Sequence, residues 1–547
     1  MPTIDVSLKD FRKLLGKTLS RDELAEALMY AKGELDGVEG DAAKLDMKDT
    51  NRPDLWGPEG VARELRARLG MEKGLPAIKA GKSGVTLYLE KSVQKVRPLC
   101  YAAIVKDVKF SDELLASMIG LQEKMNQTHG RKRRECGIGL YDFNQMTPPV
   151  YYRGYKPHEL KFAPLDFDEE MYLDEILEKH PKGIEFGHLV KESKQYPIII
   201  DDAGVVGSMP PIINSNHVGR VTEKTRNIFI ECTGFKHDTV MTELLVASWA
   251  LAARGGSIET VDVVLQNGKR IVSPDFAPKK LSFEKAAVSK MAGVKFSDKQ
   301  LLSLLGRARY NARIAGKKLH VEYPSYREDI LHPVDVIEDV LISYGYNNFE
   351  PCGDALPVRG WEHAAAREAD LVREVCVGLG CQEVLTFVLA SRETQEGKVG
   401  LKGEAFMELA NPVSLNWGLM RKRLYPQALE FLSKNKDASY PQRVFEVGKT
   451  VEPDDGTETR ARERDKVCVA LAGGNANYTH AKSALDALAR HLGLSLSLAP
   501  HKEAAFVDGK CARITHDGKG GVIGEVAETT LQRFGLKQPV ALFELEY

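Results

Sequence analysis

The sequence predicts an α+β multidomain fold, and three observations support this prediction. The chain has 547 residues, enough for three to five domains that each bury a core. Apolar runs of strand length, such as residues 196–200, alternate with turn residues, whereas residues 20–30 and 364–379 have the residue spacing of helices. The order of these patterns divides the chain into four segments: residues 1–97, 98–266, 267–354 and 355–547.

Composition excludes several classes of protein. Charged residues make up 28% of the chain but nearly cancel to a net charge of −1, so any contact with RNA must be local. The eight cysteines include no CxxC pair, which argues against a zinc site or a disulfide framework. The longest mostly apolar run, residues 244–253, is too short to span a bilayer, and the N-terminus lacks a signal-peptide pattern. We therefore expect a soluble, cytoplasmic protein with no membrane segment.

The first segment predicts a strand at residues 3–6 and helices at residues 20–30 and 58–69. Before the second helix, residues 49–55 (DTNRPDL) place Asn and Asp side chains around a proline. These residue types form tight turns and cap helices. We interpret residues 49–55 as a capping turn, with a ligand-binding role as the alternative.

The second segment is rich in strand-like runs and contains two features of functional interest. The basic run RKRR at residues 131–134 is typical of a solvated loop, and contact with RNA phosphates is the alternative. Glu231 ends a buried-looking strand, where a carboxylate is costly unless it has a partner. That partner is either a neighbouring loop or a ligand. Paired Pro210 and Pro211 would provide a rigid wall.

The third segment contains a group of carboxylates around a helix that begins at Pro333, a favourable first helical residue. Asp335, Glu338 and Asp339 have i, i+3 and i+4 spacing and share one helix face, and Asp329 precedes the helix. Oxygen-only clusters favour magnesium or calcium. A solvated acidic face is the alternative. The same segment predicts helices at residues 281–291 and 298–305 and a strand at residues 318–323, and the fourth segment predicts a buried strand at residues 383–389.

Several stretches of the sequence resemble the β subunits of phenylalanyl-tRNA synthetase of the archaeal and eukaryotic type. The most specific is residues 324–347, which contain P-x-x-R-x-D-I, D-x-I-E-D-V and Y-G-Y-N in order. The others are T-N-R-P-D-L at residues 50–55, G-S-M-P-P-I-I-N at 207–214, E-C-T-G at 231–234 and G-V-I-G-E-V at 521–526. The resemblance therefore extends over most of the chain.

The resemblance implies a role for each segment. In order, these are an α/β N-terminal domain, a tRNA-editing domain, a small winged-helix-like domain with a magnesium site, and a catalytically silent core with an antiparallel sheet like that of class II synthetases. The editing pocket would hydrolyse tyrosine wrongly attached to the phenylalanine tRNA, and its implied residues are Glu231, Thr233 and Ser208. The implied ligands of Mg²⁺, at the contact with an α subunit, are Asp329, Asp335, Glu338 and Asp339.

The resemblance also implies partners. An α₂β₂ complex would form Phe-tRNA from phenylalanine, ATP and tRNA(Phe), with ATP and phenylalanine bound by α. This chain has no Walker-type glycine loop, and Arg421, near the position of a class II motif arginine, is expected to be structural. Two other classes stay open: a free-standing aminoacyl-tRNA deacylase, and a non-enzymatic RNA-binding scaffold. The C-terminal segment argues against the first, and Glu231 with the acidic group argues against the second.

Overall fold

The structure is a computed structural model that describes residues 2–351, 353 and 359–547. The chain folds as two compact units, Met1–Cys352 and Gly353–Tyr547. The predicted segment boundary at residues 354 and 355 lies outside the described residues, as does Cys352.

The N-terminal region of the first unit is a three-stranded antiparallel sheet with three helices. Its elements are β1 (Thr3–Ser7), α1 (Leu8–Leu15), α2 (Arg21–Met29), β2 (Gly33–Glu39), β3 (Ala42–Met47) and α3 (Pro58–Arg68). The strand order is β1-β3-β2. Ser20 starts α2 with a capping box, because its hydroxyl and the Glu23 carboxylate each accept a hydrogen bond from the other's backbone N–H. The strand and the two helices predicted in this region are confirmed.

The middle of the first unit is built on a ten-stranded sheet with order β12-β11-β10-β7-β4-β14-β5-β13-β6, to which β15 is added beside β14. Helix α7 is buried over most of its length and packs on β5 and β13. The elements of this region are β4 (Ala80–Leu89), β5 (Leu99–Lys106), α4 (Asp112–Gln127), β6 (Cys136–Asp142), β7 (Val150–Tyr155), β8 (Lys161–Phe162), β9 (Met171–Tyr172), α5 (Leu173–Lys179), α6 (Pro181–Phe186), β10 (Tyr196–Asp201), β11 (Val206–Met209), β12 (Ile213–Asn214), β13 (Ile228–Gly234), α7 (His237–Ala253), β14 (Ser257–Val264) and β15 (Arg270–Ser273).

This sheet curls so that its two end strands face each other. The Asn214 side-chain amide on β12 donates to the Leu140 carbonyl oxygen on β6 at 3.1 Å, although the two strands are at opposite ends of the strand order. A second contact crosses the same seam, since the hydroxyls of Tyr141 on β6 and Ser208 on β11 lie 2.7 Å apart. The curl therefore brings together side chains that are far apart along the sheet.

The last region of the first unit packs three helices on a small antiparallel sheet of order β16-β18-β17. Its elements are β16 (Lys279–Glu284), α8 (Ala286–Ala292), α9 (Asp298–Arg307), β17 (Asn311–Ala315), β18 (Lys318–Tyr323) and α10 (Pro333–Tyr344). The predicted strand at residues 318–323 and the helix start at Pro333 are confirmed. The predicted helix at residues 281–291 is wrong in its first half, because residues 279–284 pair with β18 as a strand.

The second unit is organised around a seven-stranded sheet of order β19-β22-β23-β27-β26-β25-β24, antiparallel except for the β19–β22 pair. The predicted buried strand at residues 383–389 is wrong, since only its ends pair with other strands and Leu385 and Phe387 are exposed. The elements are α11 (Ala364–Gly378), β19 (Gln382–Glu383), β20 (Leu389–Ala390), β21 (Leu419–Met420), α12 (Tyr425–Lys434), β22 (Gln442–Pro453), β23 (Ala461–Ala472), α13 (Tyr478–Leu492), β24 (Ser497–Pro500), β25 (Phe506–His516), β26 (Lys519–Val526), α14 (Glu528–Phe534) and β27 (Val540–Glu546).

Two further observations bear on the class of protein. Across residues 2–351 and 359–547, every helix is too short or too polar to cross a lipid bilayer. The seven cysteines that the structure describes are all buried and carry free thiols.

Candidate functional site

A cavity of about 460 Å³ lies at the seam where the two ends of the ten-stranded sheet meet. Strands β6, β11, β12 and β13 and helix α4 all contribute to its wall. Its size is within the range of small-molecule sites, and such sites combine an apolar lining with a few polar groups. Among the lining residues are Asn126, Leu140, Ser208, Pro211, Ile213 and Glu231.

Glu231 is the buried acidic group of this cavity, with only 2% of its surface exposed. Its Oε1 atom accepts a hydrogen bond from the Tyr141 hydroxyl at 2.9 Å, whereas its Oε2 atom is buried and has no hydrogen-bond partner. Burial raises the pKa of Glu231 to about 7, against the opposing effects of the Tyr141 hydrogen bond and the Arg97 charge. One oxygen of this buried carboxylate therefore lacks a hydrogen-bond donor.

The position of Glu231 is fixed by a short chain of hydroxyl groups. The Ser208 hydroxyl lies 2.7 Å from the Tyr141 oxygen, and Tyr141 in turn contacts Glu231. Gly139 leaves room for this contact, because a Cβ there would lie 2.6 Å from the Tyr141 hydroxyl and 2.7 Å from Oε1 of Glu231. Tyr141 and Gly139 were not predicted from the sequence. The available signal was that both lie on one face of β6, two residues apart.

Thr233 lies behind the cavity wall. It is fully buried and is not among the residues that line the cavity. Its hydroxyl accepts a hydrogen bond from Arg97 Nε at 2.9 Å, and its carbonyl oxygen accepts one from the same guanidinium at 2.6 Å. Of the three predicted pocket residues, the structure thus places Ser208 and Glu231 in the cavity and Thr233 behind it.

The predicted metal ligand Asp339 lies in a buried network of ion pairs. Its Oδ1 atom accepts from Arg68 at 2.6 Å, and its Oδ2 atom accepts from Tyr310 at 2.7 Å and from Arg327 at 2.8 Å. The neighbouring arginines hold the pKa of Asp339 well below its usual range despite the opposing effect of burial. Both oxygens of Asp339 therefore already have cationic partners. Arg68 comes from α3, in the N-terminal region of the same unit.

Of the other three predicted ligands, Asp329 shares Arg327 with Asp339, whereas Asp335 and Glu338 have other partners. Asp329 forms a bidentate pair with Arg327, at 2.6 and 2.5 Å. Asp335 caps the start of α10 by accepting hydrogen bonds from the backbone N–H groups of Leu331 and His332. Glu338 is half exposed and pairs with Lys32 at 2.9 Å. The interpretation of these residues as a solvated acidic face is also wrong for Asp329 and Asp339, which are buried.

These contacts do not fit a magnesium site. Within the part of the chain that the structure describes, no group of three or more His, Cys, Asp or Glu side chains could hold a metal ion. A magnesium ion needs oxygen ligands that converge, whereas arginines occupy the oxygens of the two buried carboxylates. The structure therefore distributes the four predicted ligands over one buried ion network, one helix cap and one surface pair.

Residues 49–55 belong to the same network. Their prediction as a capping turn is wrong in its capping role, because Gly57 precedes α3 and no side chain caps that helix. Arg52 and Asp54 are buried and form a bidentate pair at 2.8 Å. Arg52 also lies 3.4 Å from Glu64 and 3.9 Å from Asp329. Two stretches that are far apart in the sequence, residues 50–55 and 324–347, are thus joined by buried charges.

Arg421, in the second unit, is buried among protein partners. It is 1% exposed and donates to Glu446 Oε1 at 2.6 Å, to the Thr386 hydroxyl at 2.7 Å and to the Lys449 carbonyl oxygen at 2.8 Å. These contacts tie its guanidinium to the surrounding strands and loops of the second unit. A structural role for Arg421 stays a prediction.

Comparison with protein families defines the class of this chain. Residues 126–246, which contribute most of the cavity wall, match the B3/4 domain model, and residues 281–346 match the tRNA synthetase B5 domain model. Residues 355–547 match the model of the phenylalanyl-tRNA synthetase beta chain CLM domain. The chain is therefore an aminoacyl-tRNA synthetase subunit.

Full-length relatives identify which one. The chain is 44% identical over 550 residues to the phenylalanine–tRNA ligase beta subunit of Pyrococcus horikoshii, covering 100% of this chain and 99% of that protein. It is 35% identical to the beta subunit of Korarchaeum cryptofilum, covering 100% and 98% of the two chains. A crystal structure of an N-terminal fragment of the P. horikoshii subunit superposes with a TM-score of 0.62 at 46% identity, covering 63% of this chain and 100% of the fragment. The chain belongs to the phenylalanine–tRNA ligase β subunits.

Proposed function

We propose that this β subunit removes tyrosine from mischarged tRNA in the cavity that holds Glu231 and supports an α subunit through its C-terminal unit. In this proposal residues 98–266 are the editing domain, residues 267–354 the small winged-helix-like domain and residues 355–547 a core without an aminoacylation site. Phenylalanine and ATP bind to α, and the α₂β₂ complex forms Phe-tRNA in a reducing cytosol.

The observation that carries the editing proposal is the unpaired Oε2 atom of Glu231. A buried acceptor without a partner is costly, and a hydrogen-bond donor from a ligand would remove that cost. The phenol of a tyrosyl group is such a donor, and it would also favour the ionised form of the carboxylate. A phenylalanyl group in the same place would leave Oε2 unpaired.

A second site is needed because the aminoacylation site cannot discriminate well between phenylalanine and tyrosine. An apolar pocket built for phenylalanine rejects tyrosine poorly, because the two amino acids differ only by one hydroxyl group. A site that hydrogen-bonds the hydroxyl discriminates in the opposite direction, because the analogue that lacks it leaves a buried polar group unpaired. Glu231 supplies such a group in the cavity.

The test is deacylation of preformed Tyr-tRNA(Phe) by the complex of both subunits carrying Glu231→Ala. We expect slower hydrolysis of the tyrosyl ester with phenylalanine charging close to wild type, because the variant removes the acceptor and leaves the α subunit unchanged. Glu223→Ala is the control, since Glu223 is exposed and outside the cavity. Equal hydrolysis by wild type and Glu231→Ala would place the editing site elsewhere.

The second part of the proposal rests on an exposed apolar surface of the C-terminal unit. Leu385, Phe387, Val413 and Leu415 are each at least 71% exposed. The β20–β21 pairing brings their two segments together, and the rings of Phe387 and Trp417 pack edge to face at 5.1 Å. A contiguous apolar patch of this kind is typical of a protein interface. We assign it to the α subunit that the β-subunit family implies.

Serine substitutions at Phe387 and Leu415 test this assignment. These substitutions remove exposed apolar surface and create no buried cavity. The β chain should therefore fold, while its co-purification with α is lost. Ile184→Ser is the control, because Ile184 is 67% exposed in the first unit. Undiminished co-purification of the double variant with α would contradict the assignment.

A further inference from the structure

The basic run at residues 131–134 forms a left-handed turn beside the cavity. Arg131, Lys132 and Arg133 have φ values of 49°, 55° and 62°. Residues with a Cβ atom adopt this conformation rarely, and almost always singly. Three in succession indicate a backbone that the surrounding structure holds in an unfavourable conformation, which is a feature of functional sites.

Buried hydrogen bonds hold the turn in place. The Arg133 N–H donates to the Asn126 carbonyl oxygen at 2.8 Å, at the end of α4. Arg97 donates from one nitrogen to the carbonyl oxygens of Arg133 and Arg134, at 3.1 and 3.2 Å, and binds Thr233 on β13 with the other two. The turn is thus fixed to the strand that carries Glu231.

Within the turn, Arg133 alone points inward. Its guanidinium donates to the carbonyl oxygens of Pro211 and Ile212, at 3.1 and 2.9 Å, and lies over the Phe186 ring at 4.3 Å. Arg133 also lines the cavity. It therefore anchors the turn to the cavity wall, and its neighbours in sequence lie one or two Cα steps of about 3.8 Å away.

Those neighbours are exposed cations without partners. Arg131, Lys132 and Arg134 are all exposed, and no hydrogen bond or ion pair joins their side chains to any part of the chain that the structure describes. Other cations at the cavity differ in this respect, since Arg220 pairs with Asp166 and Lys182 pairs with Glu185. Three positive charges without partners in the described chain are therefore held within two residues of a side chain that lines the cavity, in a protein whose net charge is −1.

We propose that Arg131, Lys132 and Arg134 bind phosphates of the single-stranded 3′ end of tRNA and thereby deliver its terminal ester to the cavity. This inference rests on the editing function proposed above and names the contact by which the RNA part of the substrate is held. A substrate that is an amino acid on an RNA end presents phosphates next to the ester. Cations at the mouth position the strand, while Glu231 reads the amino acid.

The test uses the variant Arg131→Asn/Lys132→Asn/Arg134→Gln in the complex of both subunits. Asparagine tolerates the left-handed region better than most residues, so the backbone of the turn is retained while its charge is removed. The matched control replaces three other exposed lysines of the same region, Lys156, Lys191 and Lys194, with glutamine, because none of them lines the cavity. The probes are Tyr-tRNA(Phe) and, as a ligand without phosphates, free tyrosine.

We expect the variant to raise KM for Tyr-tRNA deacylation with kcat little changed, and to bind free tyrosine like wild type. Each phosphate contact on a single strand contributes about 0.7 to the dependence of log affinity on log salt, so three contacts contribute about 2. Between 50 and 200 mM salt, wild type should therefore lose about 20-fold more affinity than the variant. The control should keep the wild-type salt dependence.

Two results would overturn the inference: an unchanged KM and salt dependence in the triple variant, or an equal loss in the lysine control. If the triple variant does not fold, Lys132→Asn alone should lower the salt dependence by about 0.7. Failure of the editing function is a separate outcome. In that case wild type would not hydrolyse Tyr-tRNA, and binding of uncharged tRNA to the same variants would still test the turn.

Discussion

Glu231 and Asp339 are two carboxylates that are equally buried but whose pKa values are shifted in opposite directions. Each has 2% of its surface exposed. Burial raises the pKa of Glu231 to about 7, whereas the surrounding arginines hold the pKa of Asp339 well below its usual range. The difference is in their partners, because Asp339 has cationic donors on both oxygens and Glu231 has one neutral donor on one oxygen.

The comparison separates a structural group from a ligand-binding one. A buried charge whose hydrogen bonds are complete fixes the packing of the elements that supply its partners, as Asp339 joins α10 to α3. A buried group that lacks a partner within the protein is a candidate for contact with a substrate. Burial and the carboxylate group are the same in both places, so the hydrogen bonds decide between the two roles.

The largest effect is expected at Asp339. Asp339→Ala removes one carboxylate and leaves Arg68 and Arg327 buried with incomplete partners, a loss typically of about 3–5 kcal/mol. Urea denaturation of the full chain, followed at the unfolding transition of the first unit, measures this loss of stability. Glu338→Ala is the control on the same helix and should cost less than about 1 kcal/mol, since Glu338 is half exposed. Equal, small losses for both variants would mean that the network does not stabilise the fold.

The pH dependence of stability should have opposite signs for Glu231 and for the ion network that contains Asp339 and Glu64. Because the folded pKa of Glu231 is raised from 4.5 to about 7, its contribution to stability is present below pH 4.5 and is lost as the pH rises through 7. Glu231→Gln cannot ionise, so its unfolding free energy relative to wild type should increase by up to about 3 kcal/mol between pH 4.5 and 7.

The network should behave in the opposite way. Its arginines lower the pKa of Glu64 to about 2, so that contribution is present above pH 4.5 and is lost as the pH falls towards 2. Unfolding free energies of wild type and Glu231→Gln, measured from pH 2 to 8, cover the range from pH 4.5 to 7 for Glu231 and the range below pH 4.5 for the network. A constant difference between the two proteins across pH 4.5–7 would show that Glu231 has an ordinary pKa.

The smallest expected effect is at Thr233. Thr233→Val removes the hydroxyl that accepts from Arg97 and keeps the side-chain shape, at a cost of about 1–2 kcal/mol. Thermal unfolding measures this loss, and deacylation of Tyr-tRNA by the same variant shows whether the hydroxyl touches the substrate. Slower deacylation with unchanged stability would return Thr233 to the pocket, where sequence analysis had placed it.

The sequence by itself determined the elements and the family. Local signals sufficed for the strand at residues 318–323, for the helix that begins at Pro333 and for the helix predicted at residues 20–30, because each depends on neighbours within a few residues. The same local logic failed at residues 279–284 and 383–389. There, pairing with β18 and exposure of an apolar surface overrode the helix and strand patterns.

Only the tertiary structure decided what the charged residues do. The four carboxylates predicted as metal ligands share a helix face or a loop in sequence, but Asp339 is paired by Arg68, which is 271 positions away. Likewise, Tyr141 on β6 reaches Ser208 on β11 only because the ends of the ten-stranded sheet curl together. Hydrogen-bond partners are set by distance in space, and sequence patterns report only distance along the chain.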